Sequence, residues 1–214
     1  MEQQIDLKKI ERKVWTSFYE DGLWDIYLGI MLMAMAVGAL LWDIGTRSEV
    51  TLVVIYMCLV GAAFVFLWFG KRFITIPRIG RVNFGPKGRA RKKRTSIVFA
   101  LSVLVGLVLF IIITINIKNT LSRVLSLDIF VPAVWVANML IVFSLAAYFL
   151  HFNRLYLIGV MFAIGLPLDI VLRELTHQDL TFFAFGIPAM VILIMGGVVL
   201  ARFIRKYPVL EGEN

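Results

Sequence analysis

The stretch VTLVVIYMCLVGAAFVFLWFG (residues 50–70) carries no charge, and the stretch that follows it at once, KRFITIPRIGRVNFGPKGRARKKR (residues 71–94), carries ten Lys and Arg. A helix that crosses a hydrocarbon core of about 30 Å needs about 20 mostly apolar residues. Residues 50–70 meet that length, and the basic run behind them marks the point where the chain leaves the hydrocarbon. Working outward in both directions, five more stretches fit: Ile26–Trp42, Thr95–Ile115, Ile129–Leu150, Leu155–Leu172 and Leu180–Ala201. None of the six contains Lys or Arg, and Asp169 is their only acidic residue. The period-2 alternation of a membrane barrel is absent, and backbone amides in lipid must be satisfied internally. The reading is therefore an all-α integral membrane protein with six transmembrane helices.

Composition agrees. Of 214 residues, 60% are hydrophobic and 17% charged, and the mean hydropathy is +0.88. A soluble domain is nearer half apolar and a quarter charged. Cys58 is the only cysteine, so no disulfide forms within one chain. Trp24, Tyr27, Trp42, Trp68, Tyr148 and Tyr156 fall near the ends of the proposed spans, where amphipathic rings favour the headgroup level. Ala34-Met35-Ala36 imitates a signal-peptide cleavage site, but the apolar run continues past it to Trp42, and Glu20, Asp21 and Asp25 occupy the flank that should be basic. The first span is read as a retained helix.

Six spans place both termini on one side. If that side is the cytoplasm, 18 basic residues lie inside and four outside (Arg47, Lys118, Arg123 and Arg173). The positive-inside rule selects this orientation and predicts a cell-membrane protein with cytoplasmic N- and C-termini. The net charge of +8 follows from topology and attraction to anionic lipid, so nucleic acid is not expected as a partner.

The chain divides into a segment 1–22, a six-span region 23–205 and a tail 206–214. In the first, Ile5, Ile10, Val14 and Phe18 recur near helical spacing against Lys8, Lys9, Arg12 and Lys13, which predicts an interfacial amphipathic helix. Loop 71–94 holds Pro77, Gly80, Gly85, Pro86 and Gly88. The alternation of Phe73, Ile74, Ile76, Ile79, Val82 and Phe84 predicts a short extended turn or hairpin against the membrane. Asp21 and Asp25 stand one turn apart where the first span begins; they complement the helix dipole and can pair with basic residues of the loop. Lys87, Arg89, Arg91, Lys92, Lys93 and Arg94 are the densest charge run, suited to anionic lipid or an acidic protein surface at about 1 kcal/mol per residue.

Three features inside the spans bear on a site. Asp169 lies near the outer end of the fifth span, with Arg173 at i+4 as a natural partner; an intramembrane carboxylate is also a candidate ligand or ion contact. Asn138, mid-way along the fourth span, is a second candidate, with a hydrogen bond to a neighbouring helix as the simpler role. Pro132, Pro167 and Pro188 all fall in outer halves, and Gly165 and Gly186 each precede a proline by two residues. Proline kinks at similar depth predict an outward-facing pocket lined by the fifth and sixth spans, with Asp169 at its polar edge. No catalytic residue, metal site or cofactor is indicated: His151 and His177 lie on opposite sides, and no nucleophile elbow, zinc or phosphate-loop motif occurs.

In layout the chain resembles the membrane subunit of small ABC-2-type exporters. In that family an interfacial N-terminal helix precedes six spans, and the second-to-third loop contacts the ATPase. The resemblance lies in topology, without a diagnostic motif. It implies a transport-type membrane subunit that docks a cytoplasmic partner through the basic loop. A non-transporting interaction or anionic-lipid-binding protein, alone or as a homo-oligomer, is the alternative; an intramembrane enzyme is the third.

Overall fold

The computed structural model describes residues 19–43, 49–79, 86–118 and 127–208, without some side chains near the ends of these stretches and in the second half of 86–118. The expected interfacial helix therefore lies outside the described residues, apart from its last four positions. Every described element is helical: α1 (Leu23–Asp43), α2 (Glu49–Gly70), a π-helical turn (Lys71–Thr75), α3 (Ile76–Ile79), α4 (Pro86–Lys118), α5 (Leu127–Leu150), α6 (Arg154–Thr176) and α7 (Thr181–Lys206). Five helical stretches are long and apolar enough to cross a membrane: Leu23–Leu41, Val53–Arg78, Phe130–Leu150, Arg154–Thr176 and Thr181–Lys206. This is compatible with a multi-pass membrane protein. The remaining apolar stretch, Thr95–Ile115, lies within the 33-residue α4.

The helices run further than the apolar stretches that mark them. A span ends in sequence where charge begins, but a helix ends where its backbone bonds fail, and Lys or Arg do not break a helix. The clearest case is residues 71–79, for which an extended turn was expected. They are helical instead, and α4 likewise begins at Pro86, well before the hydrocarbon stretch. Proline at a first helical position has no amide to waste, so Pro86 is a natural start. Pro77 explains the π turn before it. It has no N–H for the carbonyl of Phe73 and crowds that turn. The helix widens so that Ile76 N–H reaches back five residues to Lys71 O.

The chain forms two compact units, Met1–Arg89 with Ala189–Asn214, and Ala90–Pro188. In the first, α1 packs on α2, and glycines set the closest approaches. A Cβ on Gly70 would lie 2.8 Å from the Leu23 side chain, and one on Gly29 would lie 2.8 Å from Leu193 of α7. Gly22 has φ +77, and a Cβ there would sit 2.5 Å from the carbonyl oxygen of Gly196. Only glycine tolerates both the left-handed backbone and that contact. In the second unit α5 packs on α6, with the Phe143 and Phe162 rings 5.0 Å apart and the indole N–H of Trp135 donating to Phe162 O at 3.1 Å. Many large apolar side chains on α2, α4 and α7 point outward, among them Val53, Phe64, Leu101 and Ile194. In water such surface would aggregate; in lipid it is solvated.

Candidate functional site

Among the described residues, two charged clusters form around buried carboxylates, one in each unit. The first gathers where α1 begins and α2 ends. Close contact between Leu23 and Gly70 brings residue 21 beside residue 71. Asp21 is fully buried, and three donors meet its carboxylate: Lys71 Nζ at 2.5 Å, Thr75 Oγ1 at 2.6 Å and the amide of Leu23 at 3.2 Å. The last closes an Asx-type turn at the start of α1, satisfying an amide that the helix itself leaves open. Lys71 and Thr75 are four residues apart on the π turn, so both face the same carboxylate. Asp25, one turn further along α1, is also fully buried. Burying a charge is costly unless it is paired and hydrogen-bonded, and the geometry at Asp21 meets both conditions.

Next to this clamp, Tyr19 is buried and its phenol is pushed up to about 12 by burial, so it stays protonated throughout the physiological range. Arg72 is exposed, with its guanidinium 5.2 Å from the Trp68 ring, while Phe69 stacks on Phe73. Arg78 is tied back to its own helix by a 3.0 Å bond from NH1 to Ile74 O. The expected pairing of the Asp21 region with the basic segment thus takes a specific form: Lys71 is consumed in the clamp, and Arg72 is displayed.

The second cluster ties the end of α6 to the start of α7. Asp169 is buried and accepts from Arg173 Nε at 3.1 Å and from the Thr181 hydroxyl at 2.6 Å. Arg173 also donates to Thr181 Oγ1 and pairs with Asp179 at 3.1 Å. Thr181 Oγ1 lies 2.6 Å from Asp179 as well. It has one proton to give, so it serves one carboxylate at a time. His177, in the left-handed conformation, closes α6 by donating its N–H to Arg173 O.

Where the sequence placed a pocket between the fifth and sixth spans, Gly165 lies against Phe185: a Cβ there would be 2.5 Å from the ring. Gly186 and Pro188 are buried in α7. Pro132 and Pro167 instead line an apolar groove of about 680 Å³ between α5 and α6, with Val136 and Ile170. The five Pro and Gly positions are not brought to one described pocket. Asn138 donates to Ser102 Oγ at 3.0 Å, joining α5 to α4; both line a second groove, of about 490 Å³. Of the basic run, Lys93 and Arg94 are exposed. Lys87, Arg89, Arg91 and Lys92 lie on the first turns of α4 with side chains outside the description.

Comparison with protein-family models, curated proteins and solved structures finds no match for this chain.

Two expected outcomes follow from the second cluster. Asp169→Asn removes the charge that Arg173 and Thr181 share and should destabilise by about 1–2 kcal/mol, at the low end for a charged bond because half-exposed Arg173 can turn to water. Adding Arg173→Gln should then cost little more, which thermal unfolding in detergent reads directly. Asp179 is held below the usual carboxylate range, first by the Thr181 hydroxyl bond and further by the Thr181 amide and Arg173. A depressed folded value stabilises above the unfolded value of about 3.9 and is lost as pH falls through the folded one. The stability difference between wild type and Asp179→Asn should therefore be present at pH 7 and vanish in strong acid.

Proposed function

We propose that the chain is a six-span cell-membrane subunit with cytoplasmic termini, of transport type, that docks a cytoplasmic partner through basic residues held on helix ends. One observation carries this reading. The basic segment is in large part ordered helix, and the stretch after α2 is clamped by the buried Asp21–Lys71–Thr75 network. A run needed only to set topology requires charge and no fixed geometry. Arg72, displayed on that clamped stretch, keeps its position, which lowers the ordering cost of binding, and the helical start of α4 does the same for the run 89–94. The six-span count adds α4 to the five apolar helices, since its central 21 residues have the length and composition of a span. The 18-to-4 distribution of basic residues supports the orientation.

A photo-cross-linking residue at Ala90, which is exposed and uncharged, tests the partner. In native membranes it should give one discrete protein adduct. Neutralising Arg89, Arg91, Lys92, Lys93 and Arg94 should abolish that adduct, and raised salt should weaken it. Adducts with lipid alone, or an adduct indifferent to neutralisation, contradict partner docking.

The exposed Trp68, Phe69, Arg72 and Phe73 favour a second reading, an anionic-lipid-binding protein without transport. Aromatic rings beside a guanidinium are the pattern of a headgroup-level anchor. Unaltered binding to anionic vesicles after Arg72→Gln and Trp68→Ala would count against it.

A further inference from the structure

We propose that the groove between α4 and α5 is a binding site for one anionic diacyl phospholipid, with its headgroup on Arg94 and an acyl chain along Val98, Leu101 and Val105. This deepens the reading above and rests on α4 and α5 crossing the bilayer with the start of α4 in the cytoplasm. The groove, of about 490 Å³, is lined almost wholly by apolar side chains. Its one amide–hydroxyl pair, Asn138 and Ser102, is closed on itself. What remains offers hydrocarbon contact and little else, and in a bilayer the molecule at hand with that chemistry is a lipid chain.

Charge at the groove's end selects the headgroup. On α4 the residues at four-residue spacing are Arg94, Val98 and Ser102, so Arg94 continues a stripe that forms the groove wall, while Lys93 lies off that face. The Ser102–Asn138 bond fixes the register of the two antiparallel helices. Eight residues back along α4 is Arg94, and eight residues on along α5 is Ala146, each about 12 Å from the bond at the helical rise. Arg94 therefore stands level with the last turns of α5, where Leu145 ends the groove wall and Tyr148 is exposed. Lys93 and Arg94 are exposed too. A phosphate at this level meets the Arg94 cation and a phenol; a chain descending from it meets the groove.

Native mass spectrometry of the purified full chain, offered equal amounts of phosphatidylglycerol and phosphatidylcholine, tests the site. Wild type should retain one phosphatidylglycerol, preferred by about fivefold for the one cation on the groove face. Arg94→Gln should erase the preference while a lipid is still retained, and Lys93→Gln should leave it in place. Leu101→Trp, at an exposed wall position, should expel both lipids while unfolding temperature holds and the Ala90 protein adduct persists. That persistence separates failure of the lipid site from failure of partner docking. Equal retention of the two lipids by wild type, a preference that survives Arg94→Gln, or phosphatidylglycerol still bound to Leu101→Trp would overturn the assignment.

Discussion

Lys71→Met is expected to destabilise the protein by about 3–5 kcal/mol, the range for removing one partner of a buried ion pair. The change keeps the apolar stem and deletes the ammonium. Asp21, fully buried, then keeps its charge against only the Thr75 hydroxyl and the Leu23 amide. Adding Asp21→Asn should return most of the loss: the amide oxygen still accepts from Leu23 N–H, the Thr75 hydroxyl can turn to accept from the new NH2, and no uncompensated charge remains. Thermal unfolding in detergent, with folded yield as a second readout, measures both. Equal stability of the single and double variants would show that the pair contributes no more than its packing. A stable Lys71→Met would remove the clamp from the account.

Gly22→Ala should have a comparable effect for a different reason. At φ +77 a Cβ costs about 1–2 kcal/mol. Here it would also lie 2.5 Å from Gly196 O and 2.8 Å from Leu200 N. Both are backbone atoms of α7 and cannot rotate away, which adds about 1–3 kcal/mol of overpacking. Gly61→Ala and Gly197→Ala are the controls. Nothing lies within 4 Å of a Cβ at either position, so alanine there should leave stability unchanged or raise it by about 0.5–1 kcal/mol. A Gly22→Ala protein as stable as those controls would mean that α1 and α7 do not approach as closely as described.

Some of this was legible in the sequence because hydrocarbon length is a strong constraint. Residues 50–70 could be nothing but a buried or membrane-spanning segment, and the same rule places every apolar stretch within a helix. The pairing of Asp169 with Arg173 was legible from i,i+4 spacing, but its extension to Thr181 and Asp179 was not. That closure depends on His177 turning the chain through a left-handed conformation, which only a few per cent of non-glycine residues adopt. The π turn was hidden for a physical reason. Lys71 and Arg72 read as the end of a span, and Pro77 reads as a breaker, whereas the widened turn accommodates the proline and aims Lys71 and Thr75 at one carboxylate. Their four-residue spacing, opposite a buried acid at the start of the first helix, was the available signal. Proline and glycine mark where helices can bend or approach, and only the packed structure reveals that Phe185 lies beside Gly165.

The orientation of α4 is the point on which the proposed function turns, since the proposal needs the basic run in the cytoplasm and α4 as a sixth span. Single cysteines at positions 92 and 118, each in a Cys58→Ser background, measure it in intact cells with a membrane-impermeant maleimide. Labelling at 118 alone, with 92 reacting only after permeabilisation, is the predicted result. Labelling at 92 in intact cells, or the same accessibility at both positions, would contradict a cytoplasmic docking face on a six-span subunit.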